Sequence, residues 1–337
     1  MELNKKYIIG THVMFYEVEM TDEFVKSIYN AVGEIDNRDN VTVDFLFNFS
    51  EYFEKVDTNQ ISIDEIKVKF INQVEYLRST GINVRYNFYE NNNEMYTIGS
   101  YRRDLNYKNC DDFDFIVWGE SDCLIPKEFF TSLESISNYA EQNDIHRYVT
   151  TFAIRKMWDE SWSLLEHNDF TNNTFYKDIY KDEGWKTDKS SIWYTMTIDE
   201  MNEINSKANE LDIRISKEPK FDGSLLVISS DLIKAGVNIP HACYACGEDA
   251  SFEKMCKIIM GDSYIQFIIK NILKVHNRLH PKKREYVVGE KHFENVKQKR
   301  KSNNLWQQLH QLCEHNLYSL GETQTKFKII KGLGRDE

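Results

Sequence analysis

The sequence predicts an α/β protein whose core is a doubly wound, mostly parallel sheet. Segments with strand-like and helix-like patterns alternate through the first 140 of its 337 residues, as they do in a sheet with crossover helices. The run 113–118 is apolar almost throughout, as a strand buried on both faces should be. Hydrophobic residues make up 41% of the chain, which is enough for a large core and too many for a disordered protein.

Four strands are predicted in the first half of the chain, at residues 7–15, 41–47, 82–88 and 113–118. Each is a short run rich in β-branched and aromatic residues. Helices are predicted where apolar residues recur at intervals of three and four, over 21–32 and 66–81, and in a helix that begins at Pro126.

The second half of the chain is less regular. Residues 155–215 are rich in Trp, Tyr, Asn and Asp, which predicts an inserted, acceptor-facing region with one helix near 198–211. Further predicted elements are a strand at 223–229, short and longer helices at 231–235 and 252–260, and a last helix at 305–318. Residues 264–275 fit a helix or a strand, and their β-branched residues favour the strand. We expect one domain over 1–280 and a basic, mainly helical appendage over 281–337. The basic residues of 282–301 indicate either a solvated charged face or contacts with phosphates.

The charge balance and the absence of long apolar runs limit the partners and the compartment. The chain has 54 acidic and 42 basic residues, a net charge of −12, which argues against coating nucleic acid through the overall field. No segment has the length of a signal peptide core or a membrane span, so we expect a cytoplasmic protein.

The six cysteines do not follow a disulfide-framework pattern. His241, Cys243, Cys246 and Cys256 could begin a zinc site. No second close pair follows them, and we expect free, buried or partly buried thiols instead.

The strongest candidate site follows the strand at 113–118, because ligands of open α/β sheets bind outside the carboxyl ends of the strands. Glu120, Ser121 and Asp122 come directly after this strand, and two carboxylates spaced in this way suit Mg²⁺ or Mn²⁺ held together with a diphosphate. A polar turn that caps the next helix is the alternative. The literal Asp-x-Asp at 112–114 lies at the entry of the strand, so we do not expect it to bind metal.

Two later segments carry further candidates. Glu248 and Asp249 stand before a predicted helix, where they could act as a general base or as helix-start charges. His276 and His280 follow the strand predicted at 264–275, where a histidine could bind a metal or a diphosphate, or be structural.

The order of these features resembles the GT-A fold glycosyltransferases, in particular the family 2-like group, over residues 5–280. In that family a nucleotide-holding strand and helix come first, as 7–32 do here, and a Gly-Ser-x-x-Arg-Asn segment resembles 99–104. The Asp-x-Asp motif corresponds to 120–122, and the Gly-rich strand, short helix and Glu-Asp pair to 222–249. His276 is the candidate for the histidine that often completes the site.

Three features depart from the family pattern. The metal motif starts with Glu120 rather than Asp, the turn at 48–51 lacks the expected acidic start, and the acceptor-side motif of processive synthases is missing. The resemblance implies an inverting, metal-dependent transfer from a nucleotide-diphosphate sugar to an acceptor hydroxyl.

The resemblance also assigns residues to this reaction. The metal ligands for Mn²⁺ or Mg²⁺ would be Glu120, Asp122 and His276. The donor would be contacted by Tyr16, Glu17, Arg103 and Ser121. The base would be Asp249 or, alternatively, Glu248. A composition rich in Asn, Lys and Ile suggests a phage or other virus, which leaves a surface glycan or a hydroxymethylated nucleic-acid base as acceptor. The alternatives are a nucleotidyltransferase, disfavoured because 11–20 contains no glycine, and an inactive GT-A binding module.

Overall fold

A mixed sheet of ten strands runs through the described part of the chain in the computed structural model. The structure describes residues 1–51, 54–154, 164–165, 196–216, 219, 221–243, 245–277, 280, 282–289 and 304–330. The strands are β1 (Tyr7–Met14), β2 (Val41–Asn48), β3 (Asn83–Tyr89), β4 (Phe115–Gly119), β5 (Cys123–Leu124), β6 (Tyr148–Ile154), β7 (Leu164–Leu165), β8 (Ile213–Ser216), β9 (Leu226–Ser229) and β10 (Ile265–His276). The α-helices are α1 (Val18–Val32), α2 (Ile63–Arg78), α3 (Ile98–Asn109), α4 (Phe129–Gln142), α5 (Ile198–Asn205), α6 (Ser230–Lys234), α7 (Glu248–Met260) and α8 (Asn304–Ile330).

The strand order reverses between β1 and β4, which creates a switch point in the sheet. The order is β3-β2-β1-β4-β9-β6-β10-β8-β7, and β5 pairs with the end of β10. Of the ten described strands, seven point the same way, whereas β5, β8 and β9 run against them. The prediction of an α/β fold with a mostly parallel sheet is therefore confirmed.

Helices cover both faces of the sheet. Alternate residues of a strand point to opposite faces, and in β1 both sets are apolar and are buried under helices. Tyr7 and Ile9 of β1 pack into a core that includes apolar residues of α1, α2 and α4. Ile8, between them, packs into a second core with apolar residues of α3, α6 and α7. In the first core the rings of Phe47 and Phe70 stack with their centroids 4.1 Å apart. Burial of both cores is the main stabilising contribution to the fold.

The starts of α1 and α4 differ from the predicted starts for reasons visible in the structure. α1 begins at Val18, since the Thr21 hydroxyl donates to the Glu17 carbonyl inside the helix (2.8 Å) and does not cap it. α4 begins at Phe129 rather than Pro126, because a turn precedes it in which the Phe129 amide donates to the Pro126 carbonyl (3.1 Å).

Several strands have no counterpart among the predicted elements. β6 lies between β9 and β10 in the sheet, and β8 lies on the far side of β10. The helix predicted at 198–211 ends at Asn205, and the strand predicted at 223–229 begins at Leu226. Residues 155–163 and 166–195, the centre of the predicted insertion, and 290–303 lie outside the described residues.

The predicted appendage is partly packed against the sheet. Val287 is buried in the first core and forms a backbone bridge with Val56. The Lys254 amine on α7 donates to the Leu317 carbonyl of α8 (2.7 Å). Whether 281–337 is a separate unit stays a prediction. In the described part of the chain, every helix is too short or too polar to cross a membrane.

Candidate active site

Glu120, Asp122 and His276 meet at the carboxyl ends of β4 and β10, beside the switch point of the sheet. One potential ligand atom from each lies within 4.8 Å of the other two. His276 Nε2 lies 3.1 Å from a Glu120 carboxylate oxygen and 3.5 Å from one of Asp122. Among the described residues, these three form the one such group of His, Cys, Asp and Glu side chains.

A short antiparallel pairing brings these residues together. β5 follows Asp122 immediately and pairs with the end of β10, so that Cys123 lies opposite His276 and Leu124 opposite Val275. The Asn277 amide donates to the Asp122 carbonyl (2.7 Å) and holds the turn against the end of β10. The backbone therefore fixes the two carboxylates opposite the imidazole.

The donor set fits a divalent cation. Carboxylate oxygens are the ligands that Mg²⁺ and Mn²⁺ prefer, and an imidazole nitrogen suits transition metals. Burial alone would raise the pKa of Glu120, but the neighbouring His276 and Arg102 outweigh it and hold that pKa well below its ordinary value. Burial likewise opposes ionisation of Asp122, yet Lys283 and His276 lower its pKa. Both groups are thus carboxylates at neutral pH, the form that binds metal.

The segment after β10 brings a buried lysine into this site. The Lys283 amine donates to Asp122 (2.5 Å), and its side chain is 10% exposed. Glu17, also buried, lies beside Asp122 and Lys283, and its pKa is raised, chiefly by burial. Three carboxyl groups, those of Glu17, Glu120 and Asp122, therefore lie together at this edge, and Lys283 and Arg102 pair with two of them.

Glu248 and Asp249 lie in the first turn of α7, after Gly247 in the left-handed conformation (φ +69°). The Asp249 carboxylate accepts hydrogen bonds from the amides of Gly223 (3.2 Å) and Ala250 (2.8 Å). Burial raises the pKa of Asp249, and it raises that of Glu248 to about 7 although Arg102 opposes it. Carboxyl groups with raised pKa values are suited to take a proton near neutral pH.

Arg102 joins the two acidic pairs. Its guanidinium donates to Glu120 (2.8 Å), to Glu248 (2.6 Å) and to the Gly223 carbonyl (2.8 Å). A Cβ at Gly223 would lie 2.9 Å from Arg102 Nη1 and 3.3 Å from Asp249 Cβ. The glycine is therefore needed for the close approach of these groups.

The predicted donor contacts are distributed unevenly around the site. Glu17 and Ser121 are buried near the metal group, where the Ser121 side chain hydrogen bonds to Glu17. Tyr16 is also buried, with the Arg284 guanidinium 5.2 Å from the centroid of its ring. Arg103 lies on α3, partly exposed, with its buried Nη1 lacking a hydrogen-bond partner. Its neighbour Arg102, which the sequence did not single out, is the arginine that contacts Glu120.

The possible zinc ligands do not form a second centre. His241 is exposed, and Cys243 and Cys256 are buried as free thiols. Within the described ranges, no group that includes them meets the distances of a metal site. None of the six cysteines, all of which lie in the described ranges, forms a disulfide.

A buried neutral histidine lies close to this site and makes stability depend on pH. The Asn48 amide is oriented by the Ser50 amide and the Tyr96 carbonyl, so its nitrogen donates to His12 Nε2 (3.0 Å). Burial, with the nearby charge of Arg102, lowers the pKa of His12 from 6.5 to about 4. As the pH falls, the imidazole of the unfolded chain is protonated before the buried imidazole of the folded chain. The contribution of neutral His12 to the free energy of unfolding is therefore complete above pH 6.5 and is lost as the pH falls towards 4.

We therefore expect the unfolding free energy of the unaltered chain to fall by about 3 kcal/mol more than that of His12→Gln between pH 6.5 and 4. Urea unfolding at several pH values measures the difference. His146→Gln, at an exposed position, is the matched control and should follow the unaltered chain. Equal pH dependence in the chain and His12→Gln would contradict the neutral assignment.

The comparisons with known proteins give similarity at the level of solved structures. No family model matches the sequence, and no curated protein matches it. S. aureus TarS 1–349 has a TM-score of 0.40 at 12% identity, with 79% of this chain and 60% of that chain covered. The same protein in complex with UDP-GlcNAc has a TM-score of 0.40 at 13% identity, with 80% and 55% covered.

A further similar structure is glucosyl-3-phosphoglycerate synthase from Mycobacterium tuberculosis, in complex with Mg²⁺ and UDP. Its TM-score is 0.38 at 10% identity, with 81% of this chain and 72% of that chain covered. The chain spans less than two thirds of the TarS chains that it matches.

Proposed function

We propose that this chain is a metal-dependent glycosyltransferase that moves a sugar from a nucleotide-diphosphate donor to an acceptor hydroxyl. The observation that supports it best is the meeting of Glu120, Asp122 and His276 within 4.8 Å at the carboxyl edge of the sheet. A second carboxylate pair, Glu248 and Asp249, is connected to this group through Arg102. A cation site next to a candidate base is the arrangement that such a transfer requires.

Glu120, Asp122 and His276 would hold Mn²⁺ or Mg²⁺, which when bound offsets the negative charge of a diphosphate leaving group. Lys283, buried against Asp122, supplies a further positive charge at the same edge. Tyr16, Glu17, Ser121 and Arg103 are the proposed donor contacts. Of these, Arg103 has a buried nitrogen without a hydrogen-bond partner, which suits a negatively charged or carbonyl group.

Asp249 is the proposed general base. Its two backbone hydrogen bonds fix the carboxylate in one orientation, and its raised pKa favours acceptance of a proton. The acceptor oxygen forms a bond to the anomeric carbon, the bond from that carbon to the diphosphate breaks, and the acceptor proton moves to Asp249. An in-line displacement of this kind inverts the anomeric centre. Glu248 is the alternative base, with its pKa near 7.

The acceptor and the biological setting are proposed from sequence features alone. A composition rich in Asn, Lys and Ile suggests a phage or other virus, and a hydroxymethylated nucleic-acid base or a surface glycan would then be the acceptor. We place the reaction in the cytoplasm, where nucleotide sugars are available.

Thermal unfolding of the chain with a panel of nucleotides and nucleotide sugars tests this function. We expect the matching donor to raise the melting temperature only when Mn²⁺ is present, because the metal would hold the diphosphate of the donor. A ligand at a hundredfold excess over Kd stabilises the folded state by about 2.7 kcal/mol. The panel should leave Asp122→Asn unshifted. If no nucleotide or nucleotide sugar changes the melting temperature of the unaltered chain, the proposed function is wrong.

A further inference from the structure

Arg102 is a fully buried cation between the two carboxylate pairs of the site. Its side chain is 1% exposed, and its guanidinium lies over the ring of Trp118 at 4.9 Å from the centroid. Trp118 is itself fixed, since it is buried and its Nε1 donates to Asn106 (2.9 Å). The guanidinium therefore has little freedom to move, and its position determines where its carboxylate partners lie.

The contacts of Arg102 divide between the metal group and the base helix. Nη2 donates to Glu120 Oε1 and to the Gly223 carbonyl, and Nη1 donates to Glu248 Oε1. The other Glu120 oxygen, Oε2, is the one that faces His276. One carboxylate is thus shared between the arginine on one side and the potential metal site on the other.

We propose that Arg102 is a positioning residue that links occupancy of the metal site to the placement of the base carboxylates. This inference rests on the proposed function, in which Glu120 binds a cation and α7 carries the base. A cation bound by Glu120 competes with Arg102 for the charge of that carboxylate. As the pull of Glu120 on the guanidinium weakens, Glu248 and the Gly223 carbonyl hold the guanidinium more strongly. Gly223 also orders Asp249, because its backbone amide donates to that carboxylate.

The proposal predicts that metal affinity and turnover move in opposite directions in Arg102→Met. Loss of a positive charge that pairs with Glu120 should tighten binding of Mn²⁺ by about tenfold. Loss of the contact to Glu248 should meanwhile lower turnover by about a hundredfold. A purely structural role would weaken metal binding and turnover together.

A double-mutant cycle on Mn²⁺ affinity alone, without any sugar donor, tests the link. Free Mn²⁺ is measured by electron paramagnetic resonance in the unaltered chain, Glu248→Gln, Arg102→Met and the double variant. The direct effect of the Glu248 charge on the metal is the same whether residue 102 is Arg or Met, so it cancels when the two effects of Glu248→Gln are subtracted. We expect Glu248→Gln to change the affinity at least about threefold more when Arg102 is present than when it is replaced.

Further variants keep the cycle interpretable. Arg102→Gln, which also removes the charge, replaces Arg102→Met if that variant does not fold by circular dichroism. Arg85→Met, which removes an arginine over the Phe113 ring outside the site, should leave Mn²⁺ affinity unchanged.

The outcomes separate this inference from the proposed function. Equal effects of Glu248→Gln in both backgrounds, with Mn²⁺ and donor bound by the unaltered chain, would overturn only the role of Arg102. A coupled cycle in a chain that binds no nucleotide sugar would support the link and overturn the proposed function. If the unaltered chain binds no Mn²⁺, both are overturned.

Discussion

Asp122→Asn is expected to lower Mn²⁺-dependent sugar transfer by about a thousandfold, because metal stabilisation of a charged leaving group contributes several kcal/mol. Asparagine preserves the size of the side chain but removes one of the carboxylates that face His276. It also removes the charge that Lys283 pairs with. Initial rates of nucleoside diphosphate release over a range of Mn²⁺ concentrations measure the effect, and Mn²⁺ affinity should fall in parallel.

Asp112→Asn is the matched control for this prediction. Asp112 belongs to the literal Asp-x-Asp sequence at 112–114, is exposed and precedes β4 rather than following it. We expect this variant to transfer sugar at the rate of the unaltered chain. Retention of transfer and Mn²⁺ affinity in Asp122→Asn would show that the metal assignment is wrong.

Asp249→Asn is expected to lower turnover by about 10²–10⁴-fold, the usual contribution of a general base. Donor binding should stay close to that of the unaltered chain, since Asp249 contacts the backbone of Gly223 and Ala250 and not the metal group. Single-turnover rates with saturating donor, together with the donor Kd from titration, separate the two effects.

Comparison with Glu248→Gln decides between the two neighbouring carboxyl groups. If Glu248 is the base, its substitution abolishes the pH dependence of turnover near its pKa of about 7, and Asp249→Asn retains most of the rate. Asp231→Asn, an exposed carboxylate in the first turn of α6, is the matched control and should be active. Undiminished turnover in Asp249→Asn would contradict its assignment as the base.

The parts of the fold that local patterns encode could be predicted from the sequence. β1 to β4 are short apolar runs between amphipathic helices, so their periodicity is visible without tertiary information. β6 has two threonines at its centre, Thr150 and Thr151, which are almost fully buried in the sheet. The Thr151 hydroxyl accepts a hydrogen bond from Gln266 of β10 (3.1 Å), and this cross-strand partner makes a polar residue acceptable inside the sheet.

Only those residues of the site that lie at the ends of recognisable strands could be predicted from the sequence. Glu120, Asp122 and His276 follow or end recognisable strands, so the topology rule for open sheets applies to them. Lys283 could not be found in this way, because its partner Asp122 lies 161 positions away in the sequence. The basic residues of 282–301 predicted a solvated face or contacts with phosphates, whereas Lys283 and Arg284 are both buried.

Adjacent positions on a helix explain why Arg102 was missed. Motif spacing pointed to Arg103, but consecutive helical residues are rotated by about 100° from each other. Only Arg102 therefore points between Glu120 and Glu248. A sequence motif gives the order of such residues along the chain, whereas the rotation of the helix decides which one contacts Glu120 and Glu248.

Identification of the products formed from a nucleotide sugar tests the central claim most directly. The unaltered chain is incubated with candidate donors and Mn²⁺, with and without pyrophosphate, and the nucleotides are separated and identified by mass. We predict nucleoside diphosphate together with free or transferred sugar, formed only with the metal. Nucleoside triphosphate and sugar phosphate formed from pyrophosphate would contradict the account, since the broken bond would then lie within the diphosphate, as in a nucleotidyltransferase.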